Sequence, residues 1–186
     1  MEIIGGIILA WLIAEIISGV IHFIEDSYCK PEWKESKNTL KQFIYKNITA
    51  PNILHHQRPA AMLEGNFWQR NNTSIIPAWI IALCIYLLGP TYWPIWLGFI
   101  LMGFANELHG WSHQKCSKPI QFLQSIGILQ HPKHHKIHHT RPYSQRYCVM
   151  SGWVNPILEF LYFWPALRIM IWLLTGAKPL ESRKND

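Results

Sequence analysis

Four apolar runs along the chain predict helices that enter a lipid bilayer. The first covers about residues 3–24, and its only charged residue is Glu15. About 20 apolar residues in a helix cross the hydrocarbon core, so this run predicts a complete span. Two further runs, about 75–89 and 91–108, are separated by Gly89 and Pro90. Proline cannot continue a helix and restrains the residue before it, so this pair predicts a tight turn between two spans.

The fourth run, 156–174, carries Pro165 and Arg168 near its middle. A proline and a charge within an apolar run favour an interfacial or re-entrant helix over a simple span. Polar stretches at 25–73 and 110–150 separate the runs. The pattern therefore predicts an all-α membrane protein, a single domain over 1–186, with three to four transmembrane or re-entrant helices. A cleaved signal peptide is disfavoured because no basic segment precedes the first run.

Basic residues predict which side of the membrane the polar stretches occupy. Seven of the 17 Lys and Arg residues lie between Lys30 and Arg70, and six lie between Lys115 and Arg146. Lys and Arg accumulate in short cytoplasmic loops, so both stretches are expected on the cytosolic side of a bacterial inner membrane or an organelle membrane. Because these residues flank apolar runs, the net charge of +6 indicates contact with anionic lipid headgroups, and no nucleic-acid partner is expected.

Histidine is concentrated in these cytosolic stretches and at the helix ends that open into them. The ten histidines are His22, His55, His56, His109, His113, His131, His134, His135, His138 and His139. On a helix, residues four apart share a face and can offer two ligands to one metal. Four such pairs are present: His22 with Asp26, His109 with His113, His134 with His138, and His135 with His139.

The adjacent pair His55 and His56 cannot point in one direction on a helix, but on a loop or at the start of a helix it could serve two neighbouring ions. Imidazole suits Fe, Zn, Cu and Ni, and more than six nitrogen ligands exceed the capacity of one ion. The four cysteines form no CxxC pair, which disfavours a disulfide framework or a thiolate site. His131 precedes Pro132, which disfavours a helical ligand position for His131. The sequence therefore predicts a histidine-rich helical cap that holds two metal ions.

Five segments also carry a resemblance to a known family. They are HFIED at 22–26, HH at 55–56, NELHGWSH at 106–113, PKHHKIHH at 132–139 and YCVMSGWVN at 147–155. In this order they resemble the Kua-type lipid desaturases, a family that includes plasmanylethanolamine desaturases and plant plastid phosphatidylglycerol trans-desaturases. Animal-type members carry a further histidine where this chain has Gly65, so the resemblance leaves the lipid class open.

The resemblance implies a non-haem di-iron lipid desaturase that uses O2 and receives electrons from a small donor such as cytochrome b5 or ferredoxin. Its substrate would be a membrane lipid. The metal ligands that it implies are His22, Asp26, His55, His56, His109, His113, His134, His135, His138 and His139. Asp26 could instead orient His22 or a bound water. Two alternatives remain open from the residues alone: a lipid hydroxylase with the same type of site, and a non-enzymatic membrane protein that binds metal or haem.

Overall fold

The structure, a computed structural model, describes residues 2–89, 91–141 and 143–180, and these residues form helices and connecting turns without a strand. The α-helices are α1 (Glu2–Tyr28), α2 (Thr39–Ile44), α3 (Ala50–Gln57), α4 (Phe67–Leu88), α5 (Trp93–Met102), α6 (Ala105–Trp111), α7 (Lys118–Ser125), α8 (Pro132–His138), α9 (Val154–Phe160) and α10 (Phe163–Thr175). Two 3-10 helices, Pro31–Glu35 and Pro59–Leu63, and a π-helical turn, Tyr45–Thr49, lie between them. The all-helical prediction is confirmed for this part of the chain.

Helices α1 and α4 are the two described helices that are long and apolar enough to cross a membrane. Helix α1 contains the predicted run 3–24 and continues to Tyr28, so that its last turns carry His22 and Asp26. Helix α4 begins eight residues before the predicted run 75–89, because Asn66 caps it. The Asn66 side chain accepts from the Gln69 amide, and the Gln69 side chain accepts from the Asn66 amide, which completes a capping box.

The predicted third span, 91–108, is wrong as a single helix. The chain forms the ten-residue helix α5, turns at Gly103 and Phe104, and begins α6 at Ala105. Ten residues are too few to cross the hydrocarbon core. The break lets α6 take its own direction, and α6 carries His109. The predicted turn at Gly89 and Pro90 includes Pro90, which lies outside the described residues.

The fourth run forms two helices, α9 and α10, with axes that bend by 64°. Tyr162 lies between them in the left-handed region, with φ 53°, which ends the first helix. Pro165 falls in the first turn of α10, where its missing amide costs no helical hydrogen bond. The pair has the geometry of a broken span or a re-entrant loop, and the sequence predicts the second of these, or an interfacial helix, for 156–174.

Helix α1 packs closely against α5 and α10. A Cβ added to Gly98 of α5 would lie 2.7 Å from Ile13 Cγ2 of α1, so glycine permits an approach that a larger residue would block. One core cluster joins these two helices through Ala14 and Met102. A second places Phe23 of α1 against Trp164 of α10. The middle of α1 is thereby packed against α5, and its C-terminal part, which carries His22, is packed against α10.

Candidate metal centre

Nine of the ten predicted ligands converge in two groups within the described part of the chain. In each group, the possible ligand atoms lie within 4.8 Å of one another. The five-histidine group contains His55, His109, His113, His135 and His139, and the mixed group contains His22, Asp26, His56 and His138. The ring centroids of His22 and His109 are 5.3 Å apart, so the two groups are direct neighbours.

The five-histidine group has the nitrogen separations of adjacent ligands on a metal ion. His135 Nε2 lies 2.7 Å from His109 Nε2 and 3.0 Å from His139 Nε2. His113 Nε2 lies 3.2 Å from His109 Nε2. Two nitrogens bonded at right angles to one ion, each about 2.1 Å from it, are about 3.0 Å apart. These four imidazoles are therefore spaced as ligands of one metal ion, and the ligand atom of His55 lies within 4.8 Å of theirs.

Three separate segments supply these five rings. His55 lies on α3, and His109 lies on α6 with His113 two residues beyond the end of that helix. His135 lies on α8, and His139 is the residue that ends it. The two spacings of four residues place His109 with His113, and His135 with His139, on common faces, as the sequence predicts.

The mixed group is arranged around the carboxylate of Asp26. Asp26 Oδ1 lies 2.9 Å from His56 Nε2, and Asp26 Oδ2 lies 3.2 Å from His138 Nε2. His22 Nε2 lies 3.7 Å from the same Oδ2. Asp26 and His138 are almost completely buried, with side chains that are 2% and 0% exposed. A buried carboxylate among imidazoles is a set of ligands that fits a transition-metal cation.

Backbone carbonyls fix the orientation of three rings. His22 Nδ1 donates to the Tyr147 carbonyl at 3.0 Å, and His138 Nδ1 donates to the Gln145 carbonyl at 2.9 Å. His55 Nδ1 donates to the Pro59 carbonyl at 3.3 Å. A carbonyl oxygen can only accept, so the proton of each neutral ring lies on Nδ1 and the lone pair on Nε2 points into the group.

These inward lone pairs test whether the residues fit a metal ion. The Nε2 atoms of His22, His55 and His138 are buried and have no hydrogen-bond partner. Buried polar atoms without partners are costly and uncommon in folded proteins. His138 Nε2 faces a carboxylate oxygen at 3.2 Å, and both atoms are acceptors. A cation between them would satisfy both, so the residues fit bound metal.

The electrostatics of the five-histidine group also favour neutral imidazoles. Burial, followed by the charge of neighbouring histidines, lowers the pKa of His113 to about 4 and that of His55 to about 2. The pKa values of His109, His135 and His139 are lowered for the same two reasons. A neutral imidazole keeps the lone pair that a metal ion needs. The rings are thus available as ligands at neutral pH.

His134 is the predicted ligand that the structure does not bring into either group. Its Nε2 accepts a hydrogen bond from the Arg146 guanidinium, which occupies that lone pair. The HHxxHH run therefore divides: His138 joins the mixed group, His135 and His139 join the other, and His134 faces Arg146. His131, for which the sequence disfavours a ligand role, accepts from the Lys133 amide at the start of α8.

His55 and His56 lie one in each group, and both are on the last turn of α3, where the sequence predicted a loop or the start of a helix. Sequence reasoning missed Asn52, whose Nδ2 donates to Asp26 Oδ1 at 2.8 Å. Its signal was present, because Asn52 lies four residues before His56 on α3 and shares its face. The amide fixes the carboxylate that three histidines surround.

A polar network that the sequence also did not predict holds α6 against the start of α4. The Glu107 carboxylate accepts from Arg70 Nη2 at 3.0 Å and from Asn71 Nδ2 at 2.9 Å. Arg70 Nη1 donates to the carbonyl of Gly65, which has φ 82°. Glycine suits this left-handed position. The network supports the helix that carries His109.

One open cavity reaches the five-histidine group from the surface. Its volume is about 470 Å³, and His113 and His139 form part of its wall. Lys115 and Lys136 lie at the same cavity, and both are exposed. The cavity therefore connects solvent, beside two positive charges, with two of the inward-facing rings.

The chain is similar to a known protein family and to several known proteins. A family model described as the lipid desaturase domain matches residues 11–182. The chain is 30% identical to the plasmanylethanolamine desaturase of Myxococcus xanthus over 97% of the chain and 64% of that protein. It is 28% identical to plasmanylethanolamine desaturase 1 of Mus musculus over 95% of the chain and 68% of that protein.

A more distant relative is the chloroplastic fatty acid desaturase 4 of Arabidopsis thaliana, which is 25% identical over 91% of the chain and 51% of that protein. The chain spans less than two thirds of the length of the Myxococcus xanthus protein and about half that of the Arabidopsis thaliana protein. No solved structure is significantly similar to the chain.

Proposed function

Because this chain belongs to the lipid desaturase domain family, we propose that it desaturates an acyl or alkyl chain of a membrane lipid. In this proposal the two ligand groups hold two non-haem iron ions, and O2 is the oxidant. The observation that carries the proposal is the convergence of nine ligand residues into two neighbouring groups. The plasmanylethanolamine and fatty acid desaturases among the relatives support a lipid substrate.

Iron fits this site and this chemistry better than zinc. Zinc has no accessible redox change, and its structural sites usually take four ligands. Five imidazoles in one group exceed that number. Iron accepts five or six ligands and supplies, when bound, the activation of O2 that breaking an unactivated C–H bond requires.

The proposed reaction balances with one external reductant. Two neighbouring CH2 groups each lose one hydrogen atom, and the two carbons form a second bond. O2 accepts these two hydrogens together with two electrons and two protons, which gives two molecules of water. The two electrons come from a small donor protein such as cytochrome b5 or ferredoxin, for which the basic rim of the cavity at Lys115 and Lys136 offers a complementary surface.

The residues of the chain position and protect the reacting centre. The carbonyls of Tyr147 and Gln145 hold His22 and His138 so that their lone pairs point inward. Burial excludes water from the mixed group, where Asp26 is 2% exposed. Exclusion of water strengthens the electrostatic interactions within the site and limits side reactions.

The same proposal places the protein in a membrane. Helices α1 and α4 would cross the bilayer, and the bent pair of α9 and α10 would form a third, broken span or a re-entrant loop. The basic stretches beside the histidines would lie on the cytosolic side of a bacterial inner membrane or an organelle membrane. The reacting centre would then lie at the cytosolic boundary, within reach of a lipid chain and of a soluble donor.

Two other functions can be separated from desaturation by measurement. A lipid hydroxylase would use the same type of site and differ only in adding oxygen to the carbon. A haem carrier would need two axial histidines, and the nine grouped ligands support a different type of site. The absence of a Soret band from the absorption spectrum, together with the presence of about two irons per chain, would exclude the haem alternative.

The test is lipid mass spectrometry of cells that express the wild type, His138→Ala or no protein. His131→Ala is the matched control, because His131 lies outside both groups. The proposal predicts a lipid lighter by two hydrogens in the wild-type and His131→Ala cells, and its absence in the other two. A lipid heavier by one oxygen would indicate hydroxylation, and identical profiles from folded proteins would contradict both activities.

A further inference from the structure

Two histidines of the mixed group depend on one short segment of backbone. His138 Nδ1 donates to the carbonyl of Gln145, and His22 Nδ1 donates to the carbonyl of Tyr147. The residue between these carbonyls is Arg146. Rotation about the Arg146 backbone would move one carbonyl relative to the other and would turn one of the two rings. The conformation of Arg146 therefore sets the orientation of two ligand residues.

Arg146 has an unusual backbone conformation for its residue type. Its φ is 59°, in the left-handed region that favours glycine and is unfavourable for a residue with a Cβ. Such a conformation persists only when surrounding contacts impose it, and it is most common near functional sites. Contacts around Arg146 must therefore hold its backbone in this conformation.

The Arg146 side chain is held on two sides by residues of other helices. Its Nη1 donates to His134 Nε2 on α8, and its Nε lies 3.5 Å from the Glu159 carboxylate on α9. The Arg146 and Glu159 side chains are only 19% and 26% exposed, so solvent screens this pair incompletely. The guanidinium thus links the helix that carries His138 to the helix that follows the segment.

We propose that Arg146 is a positioning residue for the mixed group, and that His134 acts through Arg146 and is not a metal ligand. The inference rests on the proposed function, since it concerns the metal ion that the mixed group would hold. The two side-chain contacts keep residue 146 in its left-handed conformation, and that conformation keeps the Gln145 and Tyr147 carbonyls on His138 and His22. In the five-histidine group, His55 is oriented by a carbonyl outside this segment, that of Pro59.

The position of the His134 lone pair supports its part in this proposal. Its Nε2 faces a guanidinium that is always protonated, so a metal cation at the same atom would be repelled and would have to displace the arginine. The spacing of four residues between His134 and His138 indicates a shared ligand role from sequence alone. The structure instead gives the first residue of this pair a partner twelve residues away.

Metal content of purified variants tests the proposal. The variants are Arg146→Ala, which removes both anchors and keeps a Cβ, and Arg146→Gly, which removes the anchors but adopts a positive φ freely. The exposed Arg141 provides the control variant Arg141→Ala. After loading with Fe²⁺, we expect about two irons per chain in the wild type, Arg141→Ala and Arg146→Gly, and about one in Arg146→Ala. Two irons in Arg146→Ala, or equal losses in the alanine and glycine variants, would overturn the proposal.

A double variant decides the part played by His134, and it still does so if Arg146→Ala does not fold. In the Arg146→Gly background, His134→Ala should cause no further loss of iron, because its partner side chain is already absent. If His134 were a metal ligand, its removal would lower the iron content whether or not Arg146 is present. A loss of one iron from the double variant, relative to Arg146→Gly, would therefore contradict the proposal. A wild type that binds no iron would refute the proposed function as well, which separates the two failures.

Discussion

The ion pair between Arg70 and Glu107 offers a test of how α6 is held, because the chain contains a matched pair on its surface. Arg58 and Glu64 also lie 3.0 Å apart, but their side chains are 59% and 63% exposed. The Arg70 and Glu107 side chains are 22% and 19% exposed. The variants Glu107→Gln and Glu64→Gln therefore make the same chemical change at the same distance in two different environments.

The expected cost of Glu107→Gln follows from its contacts. The carboxylate accepts from Arg70 Nε at 3.3 Å, from Arg70 Nη2 at 3.0 Å and from Asn71 Nδ2 at 2.9 Å. A glutamine keeps one acceptor and turns an NH2 group toward these donors. Hydrogen bonds to charged groups contribute about 1.5–3 kcal/mol each, and partial exposure places the expected loss near the lower end, about 2 kcal/mol. The exposed pair should contribute less than about 0.5 kcal/mol.

Thermal unfolding in detergent, followed by tryptophan fluorescence, measures the difference. For a chain of this size, about 2 kcal/mol lowers the unfolding midpoint by about 4–8 °C, and about 0.5 kcal/mol lowers it by at most about 2 °C. Because α6 carries His109, we also expect less iron in Glu107→Gln than in Glu64→Gln. Equal midpoints for the two variants would refute the argument that the less exposed pair, Arg70 and Glu107, anchors α6.

Three further predictions concern the ligand groups. Asp26→Asn should lower the iron content from about two to about one per chain, because a neutral amide is a weaker ligand than the carboxylate that faces three histidines. An unchanged iron content would contradict a role of Asp26 as a ligand. His113→Ala should abolish desaturation, whereas His131→Ala should retain it, as product analysis would show. The metal-free protein should lose stability as the pH falls below about 6.5, because histidines in the unfolded chain then take up protons. In the folded protein, His113 and His55 stay neutral at this pH, since their pKa values are about 4 and about 2. The loss should continue toward pH 4, and a midpoint independent of pH between 7 and 4 would count against buried neutral rings.

The sequence predicted which histidines lie close together because helical spacing reports directly on side-chain direction. His109 with His113 and His135 with His139 follow this rule, and each pair lies in one group. His134 lies four residues before His138 but is not in its group, because its side chain contacts Arg146. No local sequence pattern predicts the path of the turn that carries Arg146. Spacing of four shows which residues share a face, but it does not show what lies opposite that face.

The helix boundaries show a similar division. The apolar run at 75–89 marked the part of α4 that hydropathy detects, while its polar first turns depend on the capping box of Asn66 and Gln69. The break at Gly103 was not predicted, because an unbroken apolar pattern from 91 to 108 does not reveal a change of direction. Tertiary contacts, such as the bond from Ser74 Oγ to the Gly103 carbonyl, stabilise that turn from another helix.

Anomalous diffraction at the iron edge, from crystals of the purified protein, tests most directly whether the converging imidazoles hold two redox-active ions. The expected map has two peaks, one among His55, His109, His113, His135 and His139, and one among His22, Asp26, His56 and His138. A single peak, or iron bound to His134, would contradict this account.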